Sequence, residues 1–334
     1  MKINRLVNTT DKISLDFFLT IKDNKLYKVI HQDYVIMGTR NYFSDLIYLN
    51  ILISDEDKIL ESLQNSSRFR NQFSEESLKS IGIETLNQTF GEFYPRIFRP
   101  FPYTPYRHPH LNDRIDYVKG VIYEEIAFDP NDNNSIVNSV NQLYLLTQEL
   151  KNILDTIRPE STNLKVYGNK IKNLLVLACI EVENQFKAII RENDYNNKRQ
   201  YTTKDYINLN PILRLSNYSI YFSYYPDLII DNPFEDWDIT IGATKSIKWY
   251  DSYNAVKHNS EKEINKATLE MAIQAISALA ILIVAQFGYS PLYWKERLGN
   301  FYDINNNTIW ESEDLIFAPL KLENWKWTPI KYKI

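Results

Sequence analysis

A chain of 334 residues with 44% hydrophobic and 24% charged residues buries a substantial core, which excludes extensive disorder and fits one large domain or two of ordinary size. Its 38 basic and 42 acidic residues leave a formal net charge of -4, so no global positive field gathers a polyanion and any contact with nucleic acid has to be local. Cys179 is the single cysteine, which excludes an intramolecular disulfide and, in its apolar helical setting, points to a small buried hydrophobe in a reducing compartment.

The opening residues, MKINRLVNTTDK, lack the apolar core and small-residue cleavage site of a secretory signal, so the expected address is cytoplasmic. From Ile13 to Ile36, β-formers flank the turn signal Asp23-Asn24, which predicts a hairpin or small sheet. Between Asn41 and Leu63 the residues Leu46, Leu49, Ile53, Ile59 and Leu63 keep partial helical spacing, and residues 65–80 are polar enough for loops or short helices.

The segment from Phe93 to Pro109 carries Pro95, Pro100, Pro102, Pro105 and Pro109, each without an amide donor, so continuous helix is excluded and an extended connector is expected. Arg96, Arg99 and Arg107 stand there among Tyr94, Phe98, Phe101, Tyr103 and Tyr106. They offer phosphate donors and stacking faces for single-stranded RNA, or a proline-braced connector packed between two halves. His108 and His110 lack a neighbouring cysteine, and only Asp113 and Asp116 stand by to complete a shell, so no metal site is assigned. A strand-like run, Tyr117 to Phe128, leads to the loop at residues 129–134, where the domain boundary is placed.

Asn134 or Ser135 caps a helix reaching about Ile157, with Val140, Leu143, Tyr144, Leu150, Ile153 and Leu154 in one stripe and Pro159 as its stop. The next helix spans roughly Asn169 to Glu192, its buried face drawn by Ile171, Leu174, Leu175, Ala178, Cys179, Val182, Phe186 and Ile189. An insertion follows, with a short helix at the capping box Thr202-Thr203-Lys204-Asp205 and a strand from Tyr218 to Tyr225. Helix returns over 246–258 and again over 267–287, ended by Gly288 and Pro291. The unbroken apolar run Ala278 to Ala285 is too short to span a bilayer and reads as a core helix, so no membrane contact is expected. The tail, with Trp310, Phe317, Leu320, Leu322, Trp325 and Trp327, is too apolar to stay free and is expected to dock on the body.

The fold expected is mainly α with a smaller α+β N-terminal part. Residues 1–130 form that first domain, 131–290 an antiparallel helical bundle with an inserted β-containing segment, and 291–334 the docked aromatic tail. Chemistry concentrates in the helix Trp249 to His258, where Asp251, Asn254 and His258 recur at i, i+3 and i+7 and so share one face. An imidazole moves protons near neutral pH, an amide holds a substrate oxygen, and a carboxylate orients the ring. Glu181 and Glu183 on the preceding long helix are two apart and point to different faces, one of them inward. The bland reading of the same residues is a satisfied hydrogen-bond network within the bundle.

The element Asn254-Ala255-Val256-Lys257-His258, on a helix leading into a long apolar one, resembles a HEPN domain, and Leu174 to Glu183 resembles that family's first bundle helix. The resemblance covers residues 165–288. It implies a bundle pair that joins two copies of an arginine-to-histidine motif and cleaves RNA without a metal or other cofactor, the histidine assisting attack by the ribose 2′-hydroxyl. His258 matches the motif histidine and Asn254 the polar residue after the arginine, whereas Tyr253 stands where the arginine belongs. Tyrosine lacks the permanent charge and planar donor fork of a guanidinium, which leaves Lys257, roughly 100° round the helix from His258, to supply a cation.

Two functions follow as expectations. One is a homodimeric endoribonuclease of a bacterial defence or toxin-antitoxin type, with His258 as general acid/base, Asn254 holding a phosphate or ribose oxygen, Asp251 orienting the ring and Lys257 stabilising charge. The other is a noncatalytic module that binds nucleotide, RNA or a partner protein, and a purely structural subunit would do neither.

Overall fold

The structure, a computed structural model, describes residues 2–9, 14–22, 24–36, 39–52, 56–66, 70, 78–89, 92–99, 133–193, 199–228, 230, 232–288, 292, 298–306, 314, 316 and 328–333. The expectations for Arg107, His108, His110, the run from Tyr117 to Phe128 and the tail aromatics Trp310, Phe317, Leu320, Leu322, Trp325 and Trp327 lie outside those residues.

The chain forms two units. The first comprises Met1–Phe93, Arg99–Phe128 and Trp310–Pro329, and the second Tyr94–Phe98, Asp129–Ile309 and Ile330–Ile334. The first unit is built on β1 (Lys2–Asn8), β2 (Ser14–Lys22), β3 (Lys25–Ile36), β4 (Thr39–Leu52), the short helix α1 (Ile59–Asn65), β5 (Ile81–Thr89) and β6 (Glu92–Phe93). Its sheet has the order β4-β3-β2-β1-β5 with antiparallel neighbours. The β2–β3 hairpin turns at the predicted place, with Asn24 in the left-handed region at φ 58 that asparagine tolerates. Leu6, Leu19 and Leu26 from the strands pack with Ile59 and Leu63 of α1 and with Ile81 as one buried cluster.

Residues 41–52, whose leucines suggested partial helix, are strand. Tyr42, Phe43, Ile47 and Tyr48 are β-formers, and β3 offers an unpaired edge along nearly the full length of β4, so pairing overrides weak helical spacing.

The second unit contains α2 (Asn133–Leu154), α3 (Asn169–Glu192), α4 (Thr203–Tyr206), α5 (Leu209–Leu213), β7 (Tyr218–Phe222), α6 (Lys248–His258), α7 (Ser260–Glu263), α8 (Leu269–Phe287) and β8 (Tyr302–Asn306). The last strand, β9 (Thr328–Pro329), pairs in parallel with β6 in the first unit. Described residues are thus mainly helical with some β-structure.

Cross-links give the directions of the long helices. Gln185, late in α3, donates to Ser139, early in α2, at 2.9 Å, so those two run antiparallel. Tyr250, early in α6, reaches Glu183, and Lys172, early in α3, reaches Ser260 just past α6, so α3 and α6 are antiparallel too. The starts of α3 and α8 meet where Tyr167 bridges Thr268, and their ends meet where Gln286 donates to Gln185. Consecutive long helices therefore alternate in direction.

Every residue of α8 except Glu270 is buried. The helix is long and apolar enough to cross a membrane, yet 94% of its most apolar window is covered by protein, the pattern of a core helix. The insertion is clamped to α3: Phe186 stacks on Tyr206 at 5.2 Å between centroids and lies 5.4 Å from Trp237, while the Trp249 indole donates to the Pro233 carbonyl at 2.8 Å. Those contacts fix where α6 starts. At α4 the predicted capping box is present, with the Asp205 carboxylate accepting from the Thr202 amide at 2.9 Å. The predicted strand of the insertion is β7, antiparallel to β8, and the Tyr302 hydroxyl sits 2.7 Å from that of Thr147 on α2.

Candidate functional site

Helix α6 presents two parallel stripes one residue apart. Tyr250, Tyr253 and Lys257 lie at i, i+3 and i+7, and so do Asp251, Asn254 and His258. The first stripe turns to α3: Tyr250 and Tyr253 are buried, Tyr253 at 1% exposure. The second faces outward, with Asp251 and Asn254 partly exposed and His258 exposed. Among the described residues no hydrogen bond or ion pair holds the side chains of Asp251, Asn254 or His258. The structure therefore brings these three to one accessible helical surface.

Asp251 does not touch His258. Seven residues of helix rise by roughly 10 Å, far beyond one hydrogen bond, so the carboxylate is placed to meet a ligand lying along the stripe rather than to hold the ring.

The buried stripe meets a set of charged and phenolic groups. Glu183 accepts from the Tyr250 hydroxyl at 2.8 Å and from the Lys187 ammonium at 3.0 Å. Burial alone would raise the Glu183 carboxyl, but the hydrogen bonds from Lys187 and Tyr250 outweigh it and hold it below the usual carboxylate range. Tyr250 is pushed well up, first by burial and then by its bond to that carboxylate, so it stays a protonated donor. Lys257 donates to the Tyr253 hydroxyl at 3.0 Å and lies 4.9 Å from the centre of its ring. That bond, chiefly, raises the Lys257 ammonium and keeps it charged. Tyr253 thus fixes the Lys257 ammonium on the first stripe, one residue before His258 in the sequence. Cys179 is fully buried and its thiol is pushed up by burial, which leaves an inert hydrophobe as its residue type predicted.

Glu181 and Glu183 do diverge. Glu183 serves the α6 side, whereas Glu181 accepts from Gln185 at 2.7 Å and from Asn184 at 3.3 Å on its own helix. Lys187, one turn after Glu183, is the partner that sequence reasoning passed over, and its i, i+4 spacing was the available signal.

The two described arginines of the proline-rich stretch are not displayed for RNA. Arg96 is buried in the second unit, its Nε on Glu192 and its Nη1 on Gln286 at 3.0 Å and Gln185 at 3.4 Å, with Phe287 under the guanidinium at 5.3 Å. Arg99 is buried in the first unit and donates to the Asp314 carbonyl at 3.1 Å. A guanidinium satisfies its donors wherever it is sequestered, and here protein acceptors, not phosphates, do so. Among the described residues no group of three or more His, Cys, Asp or Glu is arranged to hold a metal ion.

No family model, no curated protein and no solved structure matches this chain.

Proposed function

We propose that the second unit is a HEPN-like bundle that acts on RNA, as a metal-independent endoribonuclease working as a homodimer in the cytoplasm, in a bacterial defence or toxin-antitoxin type system. The observation that carries this reading is an exposed imidazole, His258, with no side-chain partner among the described residues and next in sequence to an ammonium that Tyr253 fixes in place. In the proposed step His258 takes the proton of a ribose 2′-hydroxyl, and the oxygen attacks the adjacent phosphorus. The 5′-oxygen leaves with a proton from water, and the hydroxide so formed takes the proton held on His258, giving a 2′,3′-cyclic phosphate and a 5′-hydroxyl with the imidazole restored. Asn254 holds a phosphate or ribose oxygen, Lys257 offsets charge on the phosphorane, and Asp251 meets a ribose hydroxyl further along the stripe.

A second reading, a noncatalytic module that binds RNA, nucleotide or a partner protein, is favoured by Tyr253: it is a buried phenol where the cleavage motif needs a guanidinium. Incubation of the full chain with mixed RNAs in a chelator separates the two. Cleavage that disappears in His258→Ala supports the nuclease, affinity without cleavage supports the binder, and the absence of both leaves a structural subunit.

A further inference from the structure

The end of the second unit where α6 finishes is locally basic in sequence. Residues 164–172 and 257–270 meet there. The amide of Leu269 donates to the Val166 carbonyl at 2.8 Å, that of Glu270 to the Leu164 carbonyl at 3.0 Å, and Lys172 to the Ser260 hydroxyl at 3.3 Å. Together these segments hold six lysines and His258 against three glutamates, in a chain of net charge -4. One of those glutamates, Glu263, is already paired with Lys266 at 2.8 Å. Lys165, Lys170, Lys257 and Lys262 are exposed, and Lys172 keeps two of its three donors beyond the bond to Ser260.

Tyr167 stands in the middle of this surface with 52% of its area exposed, beside Val166 at 37%. Its backbone is held by the bridge to Thr268, so the ring sits on a fixed base with about half of the residue open to solvent. Helix stability does not explain the lysines either. Lys170 and Lys172 occupy the first turn of α3, where the helix dipole disfavours cations, that turn holds no acidic residue, and the N-cap Gly168 supplies no side-chain bond.

We infer that this end of the bundle binds single-stranded RNA, with an unpaired base stacked on Tyr167 and the strand's phosphates on Lys165, Lys170, Lys172 and Lys257. The surface is continuous with the open stripe of α6, since Ser260 lies two residues beyond His258. It rests on the RNA reading above for the choice of polyanion, and it supplies that reading with a strand path that Arg96 and Arg99 do not provide.

The test is fluorescence anisotropy of the full chain with a labelled oligouridine of about 12 nucleotides, which covers one such surface. Tyr167→Ala weakens binding about tenfold, the size of one base-aromatic stack, while Tyr167→Trp retains it. The triple variant Lys165→Ala/Lys170→Ala/Lys172→Ala weakens binding further and lowers the salt slope by about 2, and Lys245→Ala/Lys248→Ala elsewhere on the unit changes neither. An RNA duplex of equal length binds more weakly, because its bases are already stacked. Wild-type affinity that survives both the tyrosine and the lysine changes overturns this surface and leaves the RNA reading standing. Equal affinity for duplex, loss with the lysines but not with Tyr167, or no binding by the wild type also overturns it. The expected pattern with no cleavage upholds the surface and retires the nuclease.

Discussion

Replacing Arg96 discriminates a buried structural cation from an RNA contact. Its side chain is 8% exposed, and Arg96→Ala removes the bonds to Glu192, Gln286 and Gln185 together with the contact on Phe287. Deleting one member of a fully buried ion pair destabilises by about 3–5 kcal/mol, but the Glu192 side chain is 44% exposed and returns to water. The two glutamines also keep their mutual bond at 3.2 Å, so about 2–3 kcal/mol is expected. The backbone adds a sharper expectation. Arg96 has φ 57, a left-handed conformation that strains any residue with a Cβ by about 1 kcal/mol. Arg96→Gly, the greater truncation, should therefore be about 1 kcal/mol more stable than Arg96→Ala, against the usual order. Urea unfolding followed by circular dichroism measures both differences through the midpoints at constant slope. Equal stability of the two variants, or loss of oligonucleotide affinity in Arg96→Ala without loss of stability, would refute the reasoning.

The remaining perturbations act on α3 and α6. His258→Ala, at an exposed position with no side-chain partner among the described residues, should leave stability within about 0.5 kcal/mol while abolishing any cleavage; a large fall in melting temperature would show that the imidazole is structural. Glu183 has a native pKa below its unfolded value of about 4.3, so its contribution is complete above about pH 5 and lost as pH falls through the native value. Glu183→Gln should flatten that acid limb and lower stability at pH 7 by about 1–3 kcal/mol, and an unchanged limb in acid titrations would discard the pairing with Lys187 and Tyr250. Gly168 has an extended backbone and open space where a Cβ would stand, so Gly168→Asp should cap α3 and raise stability by about 0.5–1 kcal/mol in thermal unfolding. The same change should weaken oligouridine binding, since it sets a carboxylate between Tyr167 and Lys170.

The helices were legible where one period ran unopposed. The stripe from Ile171 to Ile189 has no glycine or proline to interrupt it, and α3 follows it to Glu192. What escaped the sequence was decided by distant partners. Arg96 meets Glu192 at a separation of 96 residues and Gln286 at 190, so nothing local distinguishes a guanidinium destined for the core from one left at the surface. Residues 41–52 became strand because β3 lies beside them, a pairing that the spacing of leucines does not register. The stripe of Asp251, Asn254 and His258 was legible because a helical face depends only on spacing, whereas the absence of an Asp251 to His258 bond follows from axial rise and required geometry rather than face.

Position relative to helix ends separates the two groups of cations near His258. Lys257 occupies the last turn of α6, where the dipole favours positive charge, so its residue type is accounted for by roughly 0.3–1 kcal/mol of helix stability without any ligand. Lys170 and Lys172 occupy the first turn of α3, where the same field opposes them. Helix stability therefore accounts for the first group and leaves the second without a structural reason. The consequence is measurable. Neutralising Lys170 and Lys172 should raise thermal stability while lowering affinity for single-stranded RNA, whereas neutralising Lys257 should lower both. Stability that falls in each case would mean that all these lysines serve the fold alone.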